Sequence, residues 1–257
     1  MLPLRDNNPT RRTAVVTVVL IAACIGIYFF VQPSGQGAVV DQEDAVSELT
    51  FTVETAAIPC EVVRGRPLTK DEVDRTFEQG DTNACDTAPR GQPFARGKPV
   101  YLAMLYSMFL HGGLVHLGGN MLFLWVFGNN IEDRMGKVPY VLFYLASGIA
   151  ATFAHVAADP TSSVPVVGAS GAVAGVMGAY LVLYPRVRIH TLFIFILIMF
   201  REIPAWVLLG FWFVSQFFIA PGSGVAWVAH VGGFVFGVLG GLILKATGPR
   251  ARRPALV

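Results

Sequence analysis

The sequence predicts an all-α, polytopic membrane protein built as a six-transmembrane helical bundle. Three observations predict it. Of the 257 residues, 54% are hydrophobic and only 14% charged, against about 25% charged in soluble domains. The apolar residues gather into six runs of near-membrane length. Basic residues flank those runs on the side that marks cytoplasmic loops. The net charge of +2 says nothing until the charges are placed. No run of Lys and Arg faces an aromatic platform, so nucleic acid is not expected as a partner.

Residues 1–12 form a cytoplasmic N-terminus carrying Arg5, Arg11 and Arg12. Residues 13–31 are an uncharged run of 19. A secretory signal has an apolar core of about 7–15 residues, whereas about 20 span the hydrocarbon core, so this run is read as a membrane anchor. Cys24 within it is a small buried apolar residue. Residues 32–98 are read as an extracytoplasmic polar loop, holding 12 of the 17 acidic residues. Cys60 and Cys85 lie in it. Two cysteines do not make a zinc site, which takes four ligands. A disulfide fits if the loop faces an oxidising compartment.

Residues 99–245 form the core, with five further spans at 114–131, 138–158, 168–185, 203–219 and 226–245. The apolar stretch 101–110 is too short to span and ends at His111-Gly112-Gly113, a break. It is expected in the interface beside the second span. Residues 189–200 lie between Arg188 and Arg201. A 12-residue helix there would be about 18 Å long, short of a hydrocarbon core of about 30 Å. It is expected to be interfacial or re-entrant on the cytoplasmic side. Residues 246–257 are a basic cytoplasmic tail. In this topology the short cytoplasmic segments hold Arg134, Lys137, Arg186, Arg188, Arg201, Lys245 and Arg250, and the short outer loops hold no basic residue. A seventh span at 189–200 would put the basic tail outside and His230 at the opposite depth from Ser170.

Ser170 and His230 each lie about one turn into a span from the outer face. Ala174 and Gly178 follow Ser170 on its helix face, and Gly233, Gly237 and Gly241 follow His230 on its own. Small residues let membrane helices approach closely, which would bring Ser170 Oγ within reach of His230. The plain alternative is a glycine-zipper pair whose Ser and His merely hydrogen-bond. Polar residues inside spans are functional by default. His116 and Asn120, at i and i+4 in the second span, share a face near the same depth. Acyl transfer needs donors aimed at a developing oxyanion, and His and Asn supply them. The N-terminus of the fourth helix adds the N–H groups of Ser170 and Gly171. A metal could use His111, His116, Asn120 and His230, but no carboxylate and no HExxH accompany them, so no metal or other cofactor is expected. His111 is read as structural or interfacial. The hydrolase elbow G-x-S-x-G fails, since position 172 is Ala and no strand precedes Ser170.

Over roughly residues 99–245 the chain resembles the rhomboid intramembrane serine proteases. The matching residues are His116-Leu117-Gly118-Gly119-Asn120, Phe127-Gly128 with Ile131-Glu132-Asp133-Arg134 and Gly136, Gly168-Ala169-Ser170-Gly171 with Gly175, and Ala229-His230-Val231-Gly232-Gly233 with Gly237. The resemblance implies a dyad of Ser170 and His230 without an aspartate, and an oxyanion hole that includes His116 and Asn120. It suggests that Glu132 and Arg134 brace the loop between the second and third spans; on a plainer view they only end the second span. One departure concerns the turn after the serine, where some members stack an aromatic residue on the histidine. This chain has Ala174, leaving the glycine-lined face to hold His230.

The expected function is hydrolysis of peptide bonds in or near transmembrane segments of single-span membrane proteins, within the lipid bilayer. Ser170 attacks, His230 is general base and then general acid, and His116, Asn120 and Gly171 stabilise the oxyanion. The expected location is a bacterial plasma membrane with both termini cytoplasmic. A non-proteolytic rhomboid-like factor that binds membrane proteins for quality control is the alternative, but it would be expected to lack the serine or the histidine. A transporter would need ionisable residues deeper in the bundle.

Overall fold

The computed structural model describes residues 1–33, 42–88, 91–194, 198–220 and 222–247. In chain order, β1 (Leu2–Asp6) and α1 (Val15–Phe30) precede α2 (Gln42–Thr55), α3 (Pro59–Arg64), α4 (Lys70–Glu78) and α5 (Ala103–Ser107). Next come α6 (Leu114–Met135), α7 (Lys137–Ala158), α8 (Ser170–Leu183), β2 (Arg188–Ile194), β3 (Ile198–Pro204), α9 (Ala205–Gln216) and α10 (Trp227–Thr247). Helices α1, α6, α7, α8, α9 and α10 occupy the six apolar runs. Among the described residues, α7 and α10 are long and apolar enough to cross a membrane by length and composition.

Helix α8 is the axis of the bundle. Every residue from Gly171 to Tyr180 is buried, as expected of a helix that is apolar all round. Its 14 residues reach only about 21 Å, which a helix sheathed by its neighbours can tolerate. Glycines set the spacing of those neighbours. A Cβ on Gly233 or Gly237 of α10 would overlap the backbone carbonyl of Gly171 or Gly175 on α8, and one on Gly178 would overlap that of Phe234. On the α7 side, a Cβ on Gly171 would lie 2.5 Å from that of Ala151. Large apolar side chains on the outer helices face away from the bundle, including Phe29, Trp125, Leu142, Phe153, Phe211 and Ile243.

Helices α6 and α7 are joined by Gly136 alone, at φ +84°, where a side chain would be strained. Just before this turn, Glu132 is 3% exposed. Its carboxylate accepts hydrogen bonds from the Val16 amide at 2.9 Å, and from the Thr17 amide and hydroxyl, each at 2.8 Å. The first helical amides have no intrahelical acceptor, and Ala14 at the N-cap of α1 gives no side-chain bond. Glu132 therefore caps α1 from another helix, a role beyond ending the second span or bracing the loop after it.

Residues 188–194 and 198–204 correct the interfacial or re-entrant helix expected over 189–200. They form two strands, and β1 pairs with the first to give an antiparallel sheet of order β1-β2-β3. The expected all-α class therefore gains one small sheet. Ile189 and Thr191 are both fully buried, which is the period of a strand. Register runs from Leu2 opposite Leu192 to Asp6 opposite Ile189. Asp6 secures β1 beneath the bundle. Its carboxylate accepts from the Tyr180 hydroxyl and the Asn130 amide, each at 2.6 Å.

The polar stretch 32–98 also differs from the expected loop. Residues 42–88 contain three helices around a small core of Val53, Ile58, Leu68 and Val73 and the Cys60–Cys85 disulfide. The expected pairing of these two cysteines is present, and Cys24 is free and buried. Thr69 and Glu72 form a capping box at α4. The Arg66 guanidinium holds both Glu72 oxygens, at 2.7 and 2.8 Å. Lys98 Nζ meets Glu61 at 2.6 Å, both side chains being at most 1% exposed. Burial pushes the Glu61 carboxyl up and the Lys98 ammonium down from their ordinary values, each opposed by the other's charge. This subdomain is bound to the α7–α8 connection by Cys60 N–H to Ser162 O, Ser163 N–H to Thr82 O and Val166 N–H to Ala57 O, at 3.0, 2.8 and 2.8 Å.

Candidate active site

Three helices begin at the end of the bundle that carries this subdomain, and each brings one polar side chain in its first turn. His116 is the third residue of α6, Ser170 the first of α8 and His230 the fourth of α10. The turn before α6 comes from Gly113 at φ +153° and the turn before α8 from Gly168 at φ +126°. These three residues and Asn120 line one cavity of about 930 Å³, which Tyr28, Val166 and Trp212 also border.

The close approach of α8 and α10 occurs beside Ser170 and His230. The Ala229 carbonyl lies 3.8 Å from where a Cβ on Gly171 would stand. These two residues adjoin His230 and Ser170 in the chain. Gly171 itself sits in the helix contact, between Ala151 and Gly233, while its amide remains in the unsatisfied first turn of α8. On the other flank, a Cβ on Gly168 would be 2.8 Å from His116 Nε2 and 3.4 Å from Ser170 Oγ. The His116 ring and the serine hydroxyl thus crowd the same glycine.

Hydrogen bonds assign the protons of the His116 ring. The Gly112 amide donates to its Nδ1 at 3.4 Å, so the neutral ring carries its hydrogen on Nε2, the atom near Ser170. Asn120 lies one turn on and is 7% exposed. Its Nδ2 donates to the His116 carbonyl at 3.0 Å, with a second amide hydrogen left over. His111 is fully buried with its ring against that of His116, centroids 5.3 Å apart. It supports the neighbouring ring and is not among the residues lining the cavity.

His230 is held by α9. The Trp212 ring lies over it at a centroid distance of 5.8 Å. Gln216 Oε1 is 2.7 Å from its Nδ1. Trp212 and Gln216 are i and i+4 on one face of α9, so together they do what the sequence left to a glycine-lined face opposite Ala174. Sequence reasoning missed both. The signal available was a lone glutamine inside an apolar run, which is a functional candidate by default. Among the described residues, no group of three or more His, Cys, Asp or Glu could hold a metal ion.

A family model for the Rhomboid domain matches residues 99–247. Rhomboid protein 1, mitochondrial, of Saccharomyces cerevisiae is 32% identical over 164 residues, covering 59% of this chain and 44% of that protein. Presenilin-associated rhomboid-like protein, mitochondrial, of Bos taurus is 34% identical over 93 residues, covering 35% of this chain and 25% of that protein. Rhomboid protease GluP of Bacillus subtilis is 40% identical over 78 residues, covering 30% of this chain and 15% of that protein. The chain thus spans less than half the length of each of these relatives. Two of the three are mitochondrial and one is bacterial, so the likeness points to a membrane without choosing which.

Proposed function

Because the chain belongs to the rhomboid family, whose members are helical membrane proteins and include intramembrane serine proteases, we propose that it cleaves membrane-protein substrates with Ser170 as nucleophile and His230 as base. The observation that carries this is the meeting of Ser170, His230, His116 and Asn120, from three helix N-termini, in one cavity. Ser170 Oγ attacks the scissile carbonyl carbon as its proton passes to His230. The carbonyl oxygen becomes an oxyanion that accepts from His116 Nε2–H, Asn120 Nδ2–H and the first-turn amides of α8. His230 then protonates the leaving amine, and water, deprotonated by His230, releases the acyl group and restores Ser170.

Six spans, both termini cytoplasmic and a plasma-membrane location complete the proposal. The sheet end carries Arg5, Arg134, Lys137, Arg186 and Arg201, which favours a cytoplasmic face. The Cys60–Cys85 subdomain, bonded to the loop that borders the cavity, favours an oxidising outer face. Substrates with a single span would therefore be cut near their outer ends. The deciding experiment is to label detergent-purified protein with a fluorophosphonate probe and to incubate it with a single-span model substrate. Ser170→Ala and His230→Ala should abolish both labelling and cleavage while remaining folded. Robust cleavage by either variant would remove the dyad.

A further inference from the structure

The glutamine at the end of α9 is 5% exposed. Both ends of its amide are engaged. Nε2 donates to the Trp212 carbonyl at 2.9 Å and to Ser215 Oγ at 3.2 Å, and Oε1 faces His230 Nδ1 at 2.7 Å. A backbone carbonyl only accepts, so the nitrogen end of the amide must lie at Trp212 and the oxygen end at His230. An amide oxygen also only accepts. The hydrogen of the pair must then sit on Nδ1, which leaves the lone pair of the neutral ring on Nε2. The assignment is the reverse of that for His116, whose Nδ1 accepts a backbone amide.

We propose that Gln216 is a positioning residue that locks His230 in the Nδ1–H tautomer, so that Nε2 is the atom that takes the Ser170 proton. The proposal rests on the dyad described above. In Ser-His-Asp triads a buried carboxylate holds the histidine by the same nitrogen, and the wrong tautomer there lowers turnover by about 10⁴-fold. Here a neutral amide supplies the orientation, and the Trp212 ring limits rotation of the imidazole. No charge on α9 favours the imidazolium. Among the described residues, the titratable groups whose charge acts on His230 are His116 on α6 and His155 on α7, and the variants below leave both in place.

The test has a spectroscopic arm and a kinetic arm. Protein labelled with ¹⁵N-histidine, with Ser170→Ala to remove any turnover, is examined by two-bond ¹⁵N–¹H correlation, and His230 is assigned by its loss in His230→Ala. The expected pattern is Nδ1 protonated, changing to a tautomer mixture in Gln216→Leu. With Ser170 present, Gln216→Leu should lower kcat by about 10- to 100-fold, part of the general-base contribution, with KM near that of the unaltered protein. Gln216→Glu keeps an acceptor at Nδ1 and should turn over well at high pH. A carboxylate there favours the charged ring, so the rising limb of its pH–rate profile should move up by about 1 pH unit or more. Should Gln216→Leu fail to fold, the ¹⁵N pattern of the unaltered site and the displacement in Gln216→Glu decide. A proton found on Nε2 of His230, an unchanged rate in folded Gln216→Leu, or an undisplaced profile in Gln216→Glu would each overturn the proposal. If instead Ser170→Ala still cleaves substrate, the dyad falls while the ¹⁵N result still reports the tautomer.

Discussion

Replacing Gly237 by Ala tests whether the helix contact behind the cavity sets the geometry within it. Gly237 lies seven residues after His230, about two turns along α10, and faces Gly175 of α8. A Cβ there would overlap the Gly175 carbonyl oxygen and lie 2.6 Å from its carbonyl carbon and 2.7 Å from its Cα. Carbon atoms pack at about 3.5–4.0 Å, so α8 and α10 would have to part by about 1 Å. All three obstructing atoms are backbone, and no side-chain rotation relieves them. Ser170 rides on one helix and His230 on the other. A misplacement of about 1 Å can lower turnover by about 10²-fold, and overpacking itself costs about 1–3 kcal/mol. The assay compares kcat on a single-span model substrate, and the melting temperature in the same detergent, for Gly237→Ala and for Gly26→Ala in α1. Nothing lies within 4 Å of a Cβ at Gly26, so that variant should turn over normally. Gly237→Ala acting at the same rate as Gly26→Ala would refute the link between the glycine contact and the site.

Three further outcomes follow from the same structure. Asn120→Ala should slow turnover by about 10²–10³-fold, the loss typical of one oxyanion donor, with an unchanged melting temperature; unaltered turnover would reassign Asn120 to its bond with the His116 carbonyl. Glu132→Ala strips the acceptor from three donors of α1 and should destabilise the fold by about 3 kcal/mol or more, with Glu132→Gln milder because its amide oxygen still accepts; equal melting of Glu132→Ala and the unaltered protein would contradict the cap. Burial raises the Glu72 carboxyl, but the Arg66 guanidinium and the amides of Thr69 and Asp86 outweigh it and bring its pKa from 4.5 to about 2. Its folded value is below its unfolded one, so its stabilisation is full above pH 4.5 and is lost as pH falls toward 2; hydrogen exchange at α4 should quicken across that window, and Glu72→Gln should flatten the dependence.

The helices of the bundle were legible because run length and flanking charge are local signals. So was the break before α6, where Gly113 adopts φ +153°, and the pairing of Cys60 with Cys85. The sheet was not legible. Its middle strand pairs with β3 along its length and with β1, which lies some 185 positions away in the chain, and no local signal shows that second pairing. The subdomain at 42–88 was hidden by composition, since a core of a few apolar side chains and a disulfide disappears among so many charges. Ser170, His230, His116 and Asn120 could be singled out because each is a polar group at one depth of an apolar run. Ala174 showed which support was missing for His230. It could not show that α9 supplies one, because the face shared by Trp212 and Gln216 gains meaning only when α9 lies against α10.

The way helices end at the cavity bears on how the proposed chemistry would proceed where, among the described residues, no Lys, Arg, Asp or Glu lines the cavity. The N-termini of α6, α8 and α10 all open toward it, and each carries a partial positive charge on its unsatisfied amides. An oxyanion formed among them meets donors already in place, with no solvent to reorganise. Those three termini also disfavour a positive charge beside them, which suits His230 as the proposed base, since it must be neutral before it accepts a proton. Helix α9 arrives in the opposite sense and presents its C-terminal end, where Gln216 is the last helical residue. The carbonyl end of a helix favours a group that points a hydrogen toward it, and His230 Nδ1–H is such a group. The proposed orientation of the base and stabilisation of the oxyanion thus rest on one arrangement, three helices that start at the cavity and one that ends there.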